Sequence, residues 1–424
     1  MTVPDLSTNC AGIKSPNPFW LASAPPANSG DQVMRAFDHG WGGAVWKTLG
    51  APIQNVSSRF GSVSYRGTGS IGFNNIELIT DRPLEVNFKE IYEVKKRYPD
   101  HAVVVSLMVE TREEWREIIK RSEDAGADGL ELNFGCPHGM CERGMGSAVG
   151  QEPAVNERIT GWAKEFSSLP VLVKLTPNVG DIIPHGLAAQ AGGADGVSLI
   201  NTIKSIIGVD IDRFVPEPRV AGMSTNGGYC GAAVRPIALH MVAQLARSQA
   251  FKIPISGIGG ITNWRDAVEF ILLGSSSVQV CTEVMLRGYR IVEDMIEGLE
   301  EYMREKGFET LDAMTGRAIP AYSDWGNLDL NYETVAKIDD KACIGCQLCV
   351  VACHDGAHQC VHPTREDRVP VIDEDECVGC NLCQIVCPVA GCIDMVAVDN
   401  GFAPASWNEH QGQGKALRPK KGVH

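Results

Sequence analysis

An α/β fold, a (β/α)8 barrel followed by a small cysteine-rich domain, is predicted from three observations on the sequence. Before Phe308, short apolar runs alternate eight times with amphipathic stretches. A short repeat recurs at the junctions: Asp124-Ala-Gly-Ala-Asp-Gly-Leu, Gln190-Ala-Gly-Gly-Ala-Asp-Gly-Val and Leu273-Gly-Ser-Ser-Ser-Val. Each copy joins a helix to a strand, with glycine closing the helix. After residue 340 the spacing C-x2-C-x2-C-x3-C then occurs twice.

Taken in order, the strands are expected at Pro18–Ser23, Gly43–Leu49, Ala102–Met108, Gly129–Phe134, Val171–Thr176, Gly196–Asn201, Pro254–Ile258 and Ser277–Thr282. Helical stretches follow most of them. Thr111–Asp124 carries Trp115, Ile118 and Ile119 along one stripe; Ala233–Ser248 carries Ile237, Leu239, Met241, Val242 and Leu245. Eight such units fit a closed barrel better than an open doubly wound sheet. The barrel is expected over residues 1–307, and residues 308–334 sustain neither period and read as a linker. The second domain is expected over 335–400, with a tail over 401–424.

The cysteine quartets are Cys343, Cys346, Cys349 and Cys353, then Cys377, Cys380, Cys383 and Cys387, the last followed by Pro388. That is the run of a two-cluster bacterial-type ferredoxin, in which the fourth cysteine of each quartet crosses to the other cluster. Cys343, Cys346, Cys349 and Cys387 are therefore expected to hold one [4Fe-4S] cluster. Cys377, Cys380, Cys383 and Cys353 are expected to hold the other. Structural zinc takes four ligands, usually in two separated pairs, rather than eight in two quartets. His354, not proline, follows Cys353. That change is expected to alter the turn rather than the ligation.

At 424 residues, 44% hydrophobic and 21% charged, the chain can bury a large core in more than one domain. No apolar run approaches the roughly 20 residues that a membrane helix needs. A net charge of −14 argues against nucleic acid as a partner. The basic cluster of the tail, Arg418-Pro419-Lys420-Lys421, reads as a solvated terminus. The opening MTVPDLSTNC has neither the basic nor the apolar region of a secretory leader, so the fifteen cysteines are placed in a reducing cytoplasm.

Barrels carry their chemistry at the C-terminal ends of their strands. Those positions hold Ala22 and Ser23, Lys47 and Thr48, Asn133 and Cys136, Lys174, Asn201 and Thr202, Gly257, Gly259 and Gly260, then Cys281 and Thr282. The glycines after strand seven and the helix start after strand eight suit a phosphate, unless they only make a tight turn. A phosphate site beside an electron-carrying domain points to FMN, which converts single electrons into hydride chemistry. Lys174, in a strand buried on both faces, needs an anionic partner, either reduced flavin or a salt bridge. Lys47 poses the same alternative nearer the substrate. Cys136 roots a long glycine-rich loop running to Gly150 and is expected to act as general acid, with Cys141 as its rival. Asn133, Asn201 and the run Phe73-Asn-Asn-Ile-Glu77 supply amides around the same mouth, Asn74 being read as a turn residue.

Asn133-Phe-Gly-Cys-Pro-His-Gly-Met-Cys-Glu-Arg-Gly-Met-Gly, Asn75-Ile-Glu77, Lys174-Leu-Thr-Pro-Asn and Ala233-Val-Arg-Pro-Ile-Ala-Leu together resemble dihydropyrimidine dehydrogenase. The resemblance runs from Asn17 to the second quartet. It is to the bacterial catalytic subunit, which holds the FMN barrel and the two-cluster domain but not the pyridine-nucleotide half. It implies reduction of uracil or thymine at the 5,6 double bond, with Cys136 protonating C5 while hydride reaches C6. It implies substrate contacts from Asn75, Glu77, Asn133, Asn201 and Thr202. It implies FMN contacts from Ala22, Ser23, Lys47, Thr48, Lys174, Gly231, Gly259, Gly260, Cys281 and Thr282. Gly135 departs from the serine usual in the family, and the lost hydroxyl could weaken binding or admit a modified pyrimidine.

No G-x-G-x-x-G opens a β-α-β unit, so electrons are expected from a partner subunit that binds FAD and NAD(P)H. A homodimer of this chain within a heterotetramer is implied by the resemblance alone. The alternatives are a dihydroorotate dehydrogenase-like or other FMN ene-reductase with a fused ferredoxin domain, and an electron-transfer protein whose barrel is a scaffold.

Overall fold

Runs such as Ala102-Val-Val-Val and Val171-Leu-Val are rich in β-branched residues and buried on both faces, as a parallel barrel wrapped by helices requires. In the computed structural model, which describes residues 3–65, 67–356, 358–364 and 368–419, they form part of a closed eight-stranded barrel. Its strands are β1 (Phe19–Leu21), β2 (Gly43–Leu49), β3 (Ala102–Leu107), β4 (Gly129–Asn133), β5 (Val171–Lys174), β6 (Gly196–Leu199), β7 (Ile255–Ile258) and β8 (Ser275–Val280). Each pairs in parallel with its sequence neighbours, and β8 closes on β1 through Val278 and Phe19. Most strands stop before the expected ends: Ser23, Met108, Phe134, Thr176, Asn201 and Thr282 lie beyond the last ladder pairs. Gly257 sits inside β7 rather than in the turn after it.

The helices follow their sequence signals with one exception. Thr111 caps Arg112–Asp124 in a capping box with Glu114, and Trp115, Ile118 and Ile119 are buried as expected. Gly126, Gly193 and Gly274 close their helices with φ of +83°, +89° and +107°. Ile237, assigned above to the buried stripe of its helix, is instead exposed. It lies in the first turn of Arg235–Arg247, before the packed face formed by Ala238, Met241, Val242 and Leu245.

Inside the barrel the side chains lie in layers. The closed end is plugged by an antiparallel hairpin, Thr8–Cys10 with Ile13–Ser15, whose Cys10 and Ile13 pack on Trp20, Val45, Val104 and Leu172. A buried aliphatic side chain stabilises by about 1.5–3 kcal/mol, so the plug is held by the hydrophobic effect. Above it comes a polar layer: Glu131 accepts from Ser198 Oγ at 2.7 Å and from Gln279 Nε2 at 3.1 Å. Ser277 donates to Ser256 at 2.8 Å. This layer floors the open end.

Over that end lies a four-stranded antiparallel sheet absent from the sequence reading, built from Ile203–Ser205, Gly227–Cys230, Thr68–Asn75 and Phe60–Tyr65 in that order. It corrects the reading of Asn74, which is fully buried in a strand and donates to Ser205 Oγ at 2.8 Å. The expected linker is divided too. Leu311–Met314 is a short helix whose Leu311 and Met314 join the barrel core. One compact unit runs to Tyr322 and a second begins at Ser323.

The second unit repeats one motif. Strand Thr334–Ile338 pairs with Ile393–Ala397, and helices Leu348–Gly356 and Leu382–Val386 follow Cys346 and Cys380. The first helix continues through Cys353 and His354. The described part of the tail, through residue 419, belongs to this unit, and Arg418 is anchored in it rather than solvated. Ser406 caps the helix Trp407–Gln413, buried Asn331 donates to Ala416 O at 3.0 Å, and Arg418 N donates to Asn331 Oδ1 at 2.9 Å. Lys420 and Lys421 lie outside the described residues.

Candidate active site

A cleft with about 1250 Å³ of open space lies at the C-terminal end of the barrel. Its walls are made by the ends of β1, β2, β4, β5, β6, β7 and β8 and by the overlying sheet. The barrel residues that the resemblance assigned to substrate, flavin or proton transfer all line it, while Gly257 does not. Cys136 stands on the same walls as Asn75, Glu77, Asn133, Asn201 and Thr202. Ala22, Ser23, Lys47, Thr48 and Lys174 come from strand ends, and Gly231, Gly259, Gly260, Cys281 and Thr282 from the loops beside them. Sequence reasoning missed Tyr229 and His138, which also line the cleft, and Arg59 behind it. Strand alternation over 60–75 is the signal that would have found the sheet carrying Tyr229.

The two lysines are both cleft-lining and ion-paired, so neither alternative posed for them excludes the other. Lys47 Nζ lies 2.9 Å from Glu77, which Arg59 also meets at 3.2 Å. Lys174 Nζ lies 3.5 Å from Glu131 Oε1, inside the polar layer. The amides form a chain: Asn133 donates to Thr48 Oγ1 at 2.9 Å and accepts from Asn201 Nδ2 at 3.0 Å. Asn201 Oδ1 in turn accepts from Thr202 N at 2.8 Å. Such mutual bonding fixes each amide before any ligand arrives.

Gly259 and Gly260, with φ of +129° and +76°, bring bare backbone to the cleft. A Cβ on Gly260 would sit 2.9 Å from Gly231 O, so no side chain fits there. The helix after β7 is not available for an anion, because Asn263 already accepts from Arg265 N and Asp266 N. The short helix after β8, beginning at Thr282, has no side-chain cap. Gln279 Oε1 is buried in the wall with no hydrogen-bond partner among the described residues. A cradle of glycines, a strand-end lysine and an unfilled buried acceptor fit a phosphorylated, ring-bearing cofactor.

Burial pushes the Cys136 thiol up to about 11, with the His138 backbone opposing the shift, and the thiol donates to His138 O at 3.5 Å. It therefore carries its proton at neutral pH. The loop it roots is folded over it, with Met140 and Met145 packed beside Cys136, Ile79 and Met108. Cys141 is half-buried and does not line the cleft. Cys230 is also pushed up to about 11 by burial, but it donates to Phe73 O and accepts from Thr282 Oγ1, each at 3.3 Å.

In the second unit the cysteines gather around two small cavities. Cys343, Cys346, Cys349 and Cys387 line one; Cys353, Cys377, Cys380 and Cys383 line the other. The fourth cysteine of each run thus stands with the first three of the other. Gly345 and Gln347 have φ of +67° and +61°, and their counterparts Gly379 and Asn381 have +73° and +56°. Left-handed residues alternating with right-handed ones, as on either side of Cys346 and Cys380, suit the anion nest that an iron–sulfur cluster calls for. Cys387→Ala is expected to remove half the iron and the signal of one cluster, and Cys353→Ala the other half; iron assay with electron paramagnetic resonance of each reduced variant checks this.

Residues 5–303 match the family model described as dihydroorotate dehydrogenase, and residues 336–395 match a 4Fe-4S dicluster domain. The chain belongs to the dihydroorotate dehydrogenase family. Among its relatives, the NAD-dependent dihydropyrimidine dehydrogenase subunit PreA of Escherichia coli strain K12 is 44% identical over 397 residues, covering 93% of this chain and 96% of that one. A chloroplastic NADP-dependent dihydropyrimidine dehydrogenase of Arabidopsis thaliana is 42% identical over 333 residues, covering 76% and 78%. The catalytic subunit of a dihydroorotate dehydrogenase B of Thermococcus kodakarensis is 36% identical over 327 residues, covering 75% of this chain and all of that one.

Within this dihydroorotate dehydrogenase-type barrel the glycine before the cysteine has a steric basis. A Cβ built on Gly135 would overlap the Asn201 side chain. Gly135 thus leaves space that Asn201 fills, and the missing hydroxyl is only part of the change. Gly135→Ser is expected to displace Asn201 and raise KM for the pyrimidine roughly tenfold, about the worth of one hydrogen bond to substrate; steady-state kinetics check it, and an unchanged KM would remove Asn201 from the binding set.

Proposed function

We propose that this chain is the catalytic subunit of an NAD(P)-dependent dihydropyrimidine dehydrogenase, an oxidoreductase acting on the 5,6 C–C bond of uracil or thymine. The observation that carries the reading is one cleft combining a protonated Cys136, a fixed ring of amides and a glycine-lined cradle beside Lys174. Ala22, Ser23, Lys47, Thr48, Lys174, Gly231, Gly259, Gly260, Cys281 and Thr282 would hold FMN. When bound, FMN supplies hydride to C6 of the ring, and two [4Fe-4S] clusters supply the single electrons that recharge it.

The chain's own residues do the rest. Asn75, Glu77, Asn133, Asn201 and Thr202 present donors and acceptors to the alternating C=O and N–H edge of a pyrimidine and set its orientation. Cys136 gives its proton to C5, and the packed loop over it keeps water from competing. Lys174 places positive charge where the reduced cofactor is negative. In the reverse direction the same thiolate takes the proton back.

Nicotinamide and FAD would be bound by a separate iron–sulfur subunit of the PreT type, with a homodimer of this chain inside a heterotetramer. The name of the Escherichia coli relative as a subunit supports a partner. The test is anaerobic titration of the flavin- and iron-loaded chain. Dihydrouracil is expected to bleach the flavin band and dihydroorotate to leave it unchanged; bleaching by dihydroorotate alone would move the chain to the other branch of its family.

A further inference from the structure

Each sulfur-lined cavity is bordered by five cysteines. Cys360 lines the cavity of Cys353, Cys377, Cys380 and Cys383, and Cys392 that of Cys343, Cys346, Cys349 and Cys387. The two extra cysteines are equivalent in the repeat. Each follows the fourth cysteine of its own run, lines the same cavity as that residue, and stands directly before a strand, Val361–His362 or Ile393–Ala397. Both are buried, at 5% and 2% exposure. Cys360 Sγ lies 3.6 Å from Cys353 Sγ. Cys392 stands on the same cavity wall as Cys387 and Cys343, with Asp339 O 3.9 Å from its sulfur.

Resting on the iron–sulfur reading above, we infer that Cys360 and Cys392 are thiol hydrogen-bond donors to the two clusters, one each, and raise their reduction potentials. A cysteine bound to iron is a thiolate and has no proton to give. In the pair Cys353–Cys360 the only possible donor is then Cys360. Hydrogen bonds to cluster sulfurs favour the more negative, reduced state, and they are among the features that set cluster potentials. Burial removes water that would otherwise compete for the thiolate. The two positioning residues act through the ligands rather than replacing them.

The experiment is a redox titration of the complete, iron-loaded chain followed by electron paramagnetic resonance, with Cys360→Ala, Cys360→Ser, Cys392→Ala and Cys392→Ser. The alanine variants are expected to keep full iron. Each should shift the reduction equilibrium of its own cluster about tenfold toward the oxidised form, which is 59 mV for a one-electron couple. The other cluster should not move. Serine keeps an O–H donor and is expected to restore most of the shift. Unchanged potentials in the alanine variants would overturn the inference, as would loss of half the iron, which would make these residues ligands. Wild-type chain that takes up no iron would instead sink the parent reading.

Discussion

Cys136→Ala is expected to slow pyrimidine reduction by roughly 10²–10⁴-fold, the usual contribution of a positioned general acid. Flavin and iron content should stay at wild-type levels, because the thiol packs against Ile79, Met108, Met140 and Met145 rather than against the glycine cradle. The expectation follows from the proton on that sulfur. Burial raises the thiol to about 11, so the acid form is present throughout the ordinary pH range. The sign for reduction is then fixed: the rate is flat through neutrality and falls as pH climbs toward that value. Oxidation of the dihydropyrimidine needs the thiolate and should rise with pH over the same interval. Stopped-flow measurement of flavin reoxidation by uracil checks the first, and of flavin reduction by dihydrouracil the second. A variant with full turnover would remove Cys136 from the general-acid role.

Lys174→Met is expected to destabilise the barrel by about 3–5 kcal/mol, since removing one partner of a buried pair leaves the other uncompensated. Lys174 is 7% exposed at its side chain and Glu131 is fully buried. Glu131 would keep Ser198 and Gln279 as donors and lose its only cation within ion-pair distance among the described residues. Calorimetry of the single variant and of Lys174→Met with Glu131→Gln separates the two roles of the lysine. The double variant is expected to recover most of the stability, because a neutral amide costs little to bury when hydrogen-bonded. It should still hold FMN less tightly and turn over slowly. Full recovery of turnover would show that the lysine serves the fold alone.

The sequence disclosed the barrel because strands buried on both faces must be apolar throughout, and Val103, Val104 and Val105 or Leu172 and Val173 have no other use. It disclosed the site because a barrel exposes strand ends at one mouth, so chemistry-bearing residues there converge whatever the details of the loops. The overlying sheet left only a short alternation over 60–75 as its trace. Its strands face the cleft on one side and solvent on the other, and Gly69, Ser70, Gly72 and Asn74 give no sustained apolar run. The partners of the lysines were hidden for a different reason. Glu131 lies in the middle of β4, and it is the register of β4 on its neighbour β5, Glu131 opposite Leu172 and Asn133 opposite Lys174, that brings it beside Lys174. The tail misled because its basic residues suggested solvation, while the deciding group was the amide of Asn331.

The sheet over the cleft draws its strands from two excursions far apart in the chain, one after β2 and one after β6. Gly227–Cys230 pairs with both Ile203–Ser205 and Thr68–Asn75, so neither excursion can close its backbone bonding alone. Asn75 and Asn201, which line the same cleft, are thereby tied into a single module. Recombining such barrels to change which base they accept would then require transplanting both segments together; a donor segment grafted singly would arrive with a raw strand edge and no matching seam.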